Sequence, residues 1–440
     1  MKKISINSLE YMAVLKNHDK ERIMLHLPAY REPELIPTIK SALENATHPE
    51  RLTFGICRQY NPDDGFDNLD EFKNDKRIKV HNMLYTEAKG LPYARAIIND
   101  TLLEDEEFVC QLDSHHRFIK NWDTTLLDWY YDLKNDGYNP LICGYLPYYD
   151  PFDDPARRTM EPWLSEAACF YPFGTIFIRP CGISNWQSLH RPFPARFLSG
   201  HFAFGPNKWA REVRHDPELY FSGEEINLTV RSFTSGYDLF HPHRNIIWHA
   251  TMRTERDGIL FWDDQYKRGD YSFGPAQDRA RAKIRQLLRV EDNGFDLTGY
   301  DLGTVRTLRD YEKYAGIHFK KRAFQKYTIE HGFPPNPYPY KSEKEWEDSF
   351  MHSFYHLVNL ERYNLPGNNY DSILVAFDDE NGIGMHQKSI DGIQLKNFME
   401  KGEPIHYEEM FLTDKDPVRI VFWAYNNTTG WSDRFELPIK

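Results

Sequence analysis

Apolar runs and amphipathic stretches alternate through the first third of the chain. Residues 22–27, 52–57, 78–83, 107–112 and 141–144 are short apolar runs and read as buried strands. Between them lie helical patterns. Over 34–45, Leu35, Ile39 and Leu43 recur at i, i+4 and i+8, and Pro37 falls in the first turn, where proline is tolerated. Over 91–103, Ala94, Ile97, Ile98 and Leu102 are apolar, and 122–134 is again amphipathic. This order predicts an α/β fold with a mainly parallel central sheet covered by helices on both faces.

The pattern then changes. Residues 146–172 are rich in Pro, Tyr and Asp and read as loop. Residues 197–204 read as a strand interrupted by Gly200, which either admits a ligand closely or marks a bulge. A helix follows Ser222, its expected N-cap, with Ile226, Val230 and Phe233 on one face and Gly236 at its end. Strands are predicted over 237–241 and 245–248, helices over 275–330, and a further helix near 350–360. The proline-rich run 334–339 is the clearest linker, and 373–377 and 418–425 are β-rich. The expected domains are therefore 1–270, a helical extension with linker over 271–364, and a small all-β domain over 365–440.

Composition removes several function classes. The 440 residues are 40% hydrophobic and 27% charged, as in globular proteins. The net charge of −12 and the lack of a dense Lys/Arg block argue against nucleic acid as a partner. No run of apolar residues is long enough for a membrane span, and no apolar segment follows Met1-Lys2-Lys3 to make a secretory signal. Five scattered cysteines without Cys-x-x-Cys predict free thiols in a reducing cytoplasm. The first loop lacks both the dinucleotide and the P-loop glycine patterns.

Candidate chemistry centres on Asp113-Ser114-His115-His116, which ends the apolar run 108–112. Side chains at i and i+2 of an extended segment share a side, so Asp113 and His115 face the strand's end together, and His116 points to the other face. In open α/β sheets that end is where ligands bind. A carboxylate beside an imidazole suits Mn²⁺ or another divalent cation.

Four stretches occur in order: Pro28-Ala29-Tyr30-Arg31-Glu32-Pro33-Glu34-Leu35, Gln111-Leu112-Asp113-Ser114-His115, Tyr220-Phe221-Ser222-Gly223-Glu224-Glu225 and Trp248-His249. Together they resemble the cytoplasmic polypeptide N-acetylglucosaminyltransferases that modify hydroxyproline on Skp1-type proteins. More distantly, they resemble the mucin-type polypeptide N-acetylgalactosaminyltransferases. The resemblance spans about residues 20–265. It implies a GT-A-like nucleotide-sugar-binding domain, UDP-GlcNAc as donor, a divalent metal and retention of anomeric configuration. It also implies metal ligation by Asp113, His115 and His249. Glu224 falls on the glutamate of the mucin-type Trp-Gly-Gly-Glu-Asn signature and Glu225 replaces its asparagine. One would hold donor-sugar hydroxyls and the other would orient the acceptor, both ionised at a helix N-terminus. Arg95 matches an arginine carried to the diphosphate, or is a surface helix residue. Ser199 and Gly200 match the wall behind the N-acetyl sugar. Pro28, Tyr30 and Glu32 would line the uridine site, with Tyr30 stacking on uracil or packing on the sheet. The acceptor would be a protein hydroxyl or a glycan, and 365–440 an acceptor-recognition or homo-oligomerisation module. The alternatives are a metal-dependent hydrolase and a non-catalytic carbohydrate-binding protein.

Overall fold

A computed structural model describes residues 20–250, 259–359, 370–393, 395 and 406–439. Two compact units divide the chain. The first takes in residues up to 168, 173–316 and 331–337, and the second takes in 169–172, 317–330 and 338–440.

The first unit opens with β1 (Ile23–Tyr30), α1 (Leu35–Asn45), β2 (Leu52–Tyr60), β3 (Ile78–Leu84), α2 (Leu91–Thr101) and β4 (Phe108–Leu112). It continues through β5 (His116–Phe118), α3 (Trp122–Asn135), β6 (Pro140–Cys143), β7 (Trp163–Phe170) and β8 (Ile176–Gly182). Then follow β9 (Phe193–Pro194), β10 (Phe202–Pro206), α4 (Asn207–Glu212), α5 (Glu224–Thr234), β11 (Asp238–His241) and β12 (Ile247–His249). Helices α6 (Phe261–Lys267), α7 (Phe273–Leu287) and α8 (Leu308–Ala315) come after them.

The central sheet has the order β3-β2-β1-β4-β10-β6-β11-β9. Strands β3, β2, β1 and β4 run parallel, as do β6 and β11, whereas β10 is antiparallel to both β4 and β6. This is the mainly parallel sheet expected of a GT-A-like domain.

The two-residue period of β1 explains the layering. Ile23, Leu25 and Leu27 pack with Leu35, Ile39 and Ala42 of α1 and with Trp122 and Leu126 of α3. Met24, on the opposite face, packs with Val109, Trp209 and Leu228. A strand buried on both faces needs an unbroken apolar run, and that run is why the strand positions were legible. β1 continues through Tyr30, past the loop expected to begin at Pro28. The antiparallel strand near Gly200 covers 202–206 rather than 197–204, and β7 starts within the stretch read as loop.

In the second unit, β13 (Ile317–His318) and β14 (Ala323–Gln325) precede α9 (Lys326–Ile329), α10 (Glu343–Asp348) and β15 (Phe350–Asn359). The helix expected near 350–360 is therefore a strand over its described part. It pairs with β18 below, from His352↔Thr413 to Asn359↔His406. Strands β16 (Ser372–Asp378), β17 (Gly384–Asp391), β18 (His406–Thr413), β19 (Arg419–Asn426), β20 (Gly430–Trp431) and β21 (Phe435–Pro438) complete the antiparallel sheets. Val375, Phe377, Phe411 and Phe422 form their core.

Candidate active site

Strand β4 ends at Leu112, and the chain turns sharply through Asp113 and Ser114 into β5. Three hydrogen bonds fix that turn. The Ser114 hydroxyl donates to the Pro28 carbonyl at 3.0 Å, the Thr38 hydroxyl donates to the Ser114 carbonyl at 3.1 Å, and the His116 amide donates to the Thr38 oxygen at 2.9 Å. The loop is thus bolted to the end of β1 and the first turn of α1. Antiparallel pairing of β5 with β12 then sets His249 opposite His116. A backbone bond from the His249 amide to the Pro147 carbonyl holds it from the other side, at 3.0 Å.

The result is a convergence of ligand atoms from Asp113, His115 and His249, all within 4.8 Å of one another. His249 Nε2 lies 3.4 Å and His115 Nε2 3.7 Å from Asp113 Oδ2. His115 Nδ1 lies 3.0 Å from Glu32 Oε2. A carboxylate behind the far nitrogen fixes the tautomer and leaves Nε2 to face Asp113, the usual support of a metal-ligating imidazole. Burial raises the Asp113 pKa, but the His249 hydrogen bond and the charges of Arg95, His115 and His249 outweigh it and hold the carboxyl well below its ordinary range. An ionised oxygen and two imidazole nitrogens on converging vectors can hold a divalent cation.

The other candidate residues lie at various distances around this group. Arg95 on α2 is fully buried. It donates to Asp113 Oδ1 at 2.8 Å, to the Gly200 carbonyl at 2.7 Å and to the Leu112 carbonyl at 3.1 Å, and its Nε is 3.1 Å from Glu224 Oε1. It is not a surface arginine; it ties Asp113 to Glu224. Gly200 is a junction. Its carbonyl also accepts from Gln111 Nε2 at 2.8 Å, and its amide donates to Glu225 Oε1 at 3.0 Å. A Cβ there would sit 3.5 Å from Glu224 Oε2. Ser199 is buried, and its hydroxyl accepts from the His201 amide. Pro28 contributes its carbonyl from within β1. Glu32 stands behind His115, its Oε2 3.0 Å from the ring Nδ1. Tyr30 donates to Asp264 Oδ2 at 2.7 Å, with its ring edge-on to Phe261 at 5.2 Å.

Helix α5 delivers both glutamates. Its N-cap is Gly223, at φ 95°, not Ser222, and no side chain caps it. Tyr145 donates to Glu225 Oε2 at 3.0 Å, and His215 Nδ1 lies 3.3 Å from Glu224 Oε1. Neither acid is held firmly ionised, as the helix terminus alone would have it. Burial, reinforced by the Asp113 charge and opposed by Arg95, pushes Glu224 up to about 7. Burial pushes Glu225 up to about 7 as well, against the Gly200 amide and the Tyr145 hydroxyl.

Three residues here had no role in the sequence reading, and a fourth, His116, was placed on the wrong side. His201 stacks on His249 with ring centroids 4.2 Å apart, and its Nε2 accepts from the Leu146 amide at 3.0 Å. His116, read as pointing away, packs 4.9 Å from the His249 ring with Nδ1 on the Asp113 carbonyl side. The sharp turn after Asp113 breaks the simple strand alternation. His215 bonds Gln111 Oε1 at 2.8 Å, which supports Gln111 against Gly200. Tyr145 completes the set, and no pattern in the sequence marks it.

The solved structures that resemble the chain include GalNAc-T7 with UDP, GalNAc and Mn²⁺, at 13% identity and a TM-score of 0.44. That match covers 67% of this chain and 56% of the other, so the chain spans little more than half the length of that relative. S. aureus TarS 1–349 in complex with UDP-GlcNAc matches at 11% identity and a TM-score of 0.34, over 63% of this chain and 74% of the other. No curated protein matches the sequence. The model of a family described as Glycosyltransferase (GlcNAc) matches residues 22–76 and 64–321, well over half of the chain, and the chain belongs to that family.

Proposed function

We propose that this glycosyltransferase moves N-acetylglucosamine from UDP-GlcNAc to an acceptor hydroxyl of a protein or glycan, with retention of configuration. The observation that carries the metal-dependent part is the convergence of Asp113, His115 and His249, with Glu32 fixing the His115 tautomer. The donor set fits Mn²⁺ or a similar cation, which when bound would neutralise charge on the departing diphosphate. Arg95 positions Asp113 and Glu224 rather than meeting substrate. Glu224 and Glu225 bind sugar hydroxyls from the start of α5, and the Gly200 turn gives the N-acetyl group room. The five cysteines are all free thiols, which supports a cytoplasmic site of action. Among the described residues no helix is long and apolar enough to cross a membrane.

A panel of UDP-sugars incubated with Mn²⁺, followed by UDP release with and without chelator, tests this reading. UDP-GlcNAc should turn over fastest, and turnover should rise when an acceptor is added. Chelation or His115→Ala should abolish it. Glu32→Ala should raise the Mn²⁺ needed for half-maximal rate about 10–100-fold, with most of the rate restored at saturating metal. Turnover that survives chelation and His115→Ala would overturn the metal assignment. Metal-dependent ester cleavage without UDP-sugar affinity would favour a hydrolase.

A further inference from the structure

A second convergence of metal-ligating side chains lies outside the site around Asp113. Glu166 on β7, Cys181 on β8 and His331 each offer one ligand atom, and the three atoms lie within 4.8 Å of one another. Strands β7 and β8 pair as a two-stranded ribbon, which brings the carboxylate and the thiol together. His331 arrives from the 331–337 segment of the same compact unit.

Glu166 is 6% exposed. A carboxylate so deep is stable only when its charge is answered. His331 Nδ1 makes a close ion-pair contact with Glu166 Oε2, yet that oxygen has no well-formed hydrogen bond. His331 holds a left-handed backbone, φ 65°, which is strained for a residue with a Cβ. A strained residue that brings its imidazole to a buried carboxylate, one oxygen of which lacks a well-formed hydrogen bond, beside a thiol points to a ligand.

The donor types choose the cation. One thiolate, one imidazole and one carboxylate form a mixed S/N/O set suited to zinc. The Asp113 group has no sulfur and suits a harder ion. His331 is 46% exposed, so water can reach the fourth tetrahedral position.

We propose that Glu166, Cys181 and His331 form a zinc site, with water as the fourth ligand, that clamps the β7–β8 ribbon to the 331–337 segment. On binding, the Cys181 thiol loses its proton to solvent and its sulfur bonds to the metal. No oxidation is involved. Because only the thiolate binds the metal, zinc uptake weakens as pH falls.

Cobalt(II) titrated into the full chain tests this, because thiolate ligation produces a near-ultraviolet charge-transfer band. The band should appear in the wild type, vanish in Cys181→Ser and require at least about tenfold more cobalt in His331→Ala. His249→Ala should retain it, since the other candidate site contains no sulfur. A second readout is independent of colour. Cys181 alone of the five cysteines is not buried, so it should be the thiol that a maleimide labels in the native protein, and zinc should protect it. A folded wild-type chain without the band, a band that survives Cys181→Ser, or labelling of Cys181 unchanged by zinc would overturn the proposal. Loss of metal at Asp113 would leave all these readouts in place.

Discussion

Glu224 and Glu225 show how burial can reverse what a helix terminus suggests. Two acids in the first turn of α5 meet a favourable dipole worth about 0.3–1 kcal/mol. Raising Glu224 from 4.5 to about 7 corresponds to about 3 kcal/mol against the ionised form. Desolvation therefore wins. The sign of the consequence is fixed by linkage. Between pH 4.5 and 7 the folded state keeps a proton on Glu224 that the unfolded chain has released, so stability falls as pH rises through this window. Buried His26, His116, His201, His215 and His241 work the other way, because burial holds them neutral in the fold while they charge in the unfolded chain below 6.5. Asp113, held low, loses its contribution only below its ordinary 3.8. The Glu224 effect is therefore read as a difference. In chelator, Glu224→Gln should gain up to about 3 kcal/mol over the wild type in urea unfolding at pH 8 relative to pH 5. A difference that does not change with pH would show that Glu224 is ionised throughout.

At the scale of elements, the site depends on how closely α2 approaches the turn before α5. Gly90 caps α2 at φ 111°, and the Leu91 amide donates to the Tyr220 carbonyl at 3.2 Å. A Cβ on Gly90 would lie 2.2 Å from that carbonyl oxygen. Both partners are backbone, so neither can swing aside. Gly90→Ala should destabilise by more than about 2 kcal/mol, from left-handed strain plus the clash, and should lower turnover by displacing Arg95 from Asp113 and Glu224. A urea midpoint and a turnover rate that match the wild type would refute the coupling. This closeness left only a glycine in the sequence as its trace. The parallel strands were legible because burial on both faces demands continuous apolar runs, and the Asp113–His115 pair was legible because it ends one. Strand β15 was misread for a definable reason. Phe350, Phe354 and Val358 face inward with His352 and His356 between them, and the His356 ring packs 6.2 Å from Phe354. Imidazoles count as polar in a pattern, so the alternation was hidden and the four-residue spacing of the apolar residues looked helical. His215 and Tyr145 could not be found from local pattern at all, since long-range packing alone brings them to the glutamates.

For the whole molecule, the interleaving of the two units decides where the chain can be cut. A boundary at 365 follows the composition, but the second compact unit also draws on residues 169–172 and 317–330. Strand β14 pairs β15 at Phe324↔Met351, and β15 pairs β18 along nearly its full length. Ending the chain at 364 would strip β15 of β18 and leave a long row of unpaired amides and carbonyls beside an apolar face. Such an edge templates aggregation. It would also remove Val375, Phe377, Phe411 and Phe422, the core against which Val358 is buried. Losing that burial would expose apolar surface to water, at about 25 cal/mol per Å². The 1–364 fragment should therefore be recovered mainly as aggregate in size-exclusion chromatography, although it contains every residue assigned to the candidate active site. A monodisperse, active 1–364 fragment would show instead that β13–β15 hold together without the C-terminal strands, and would place the functional boundary back where the composition suggests.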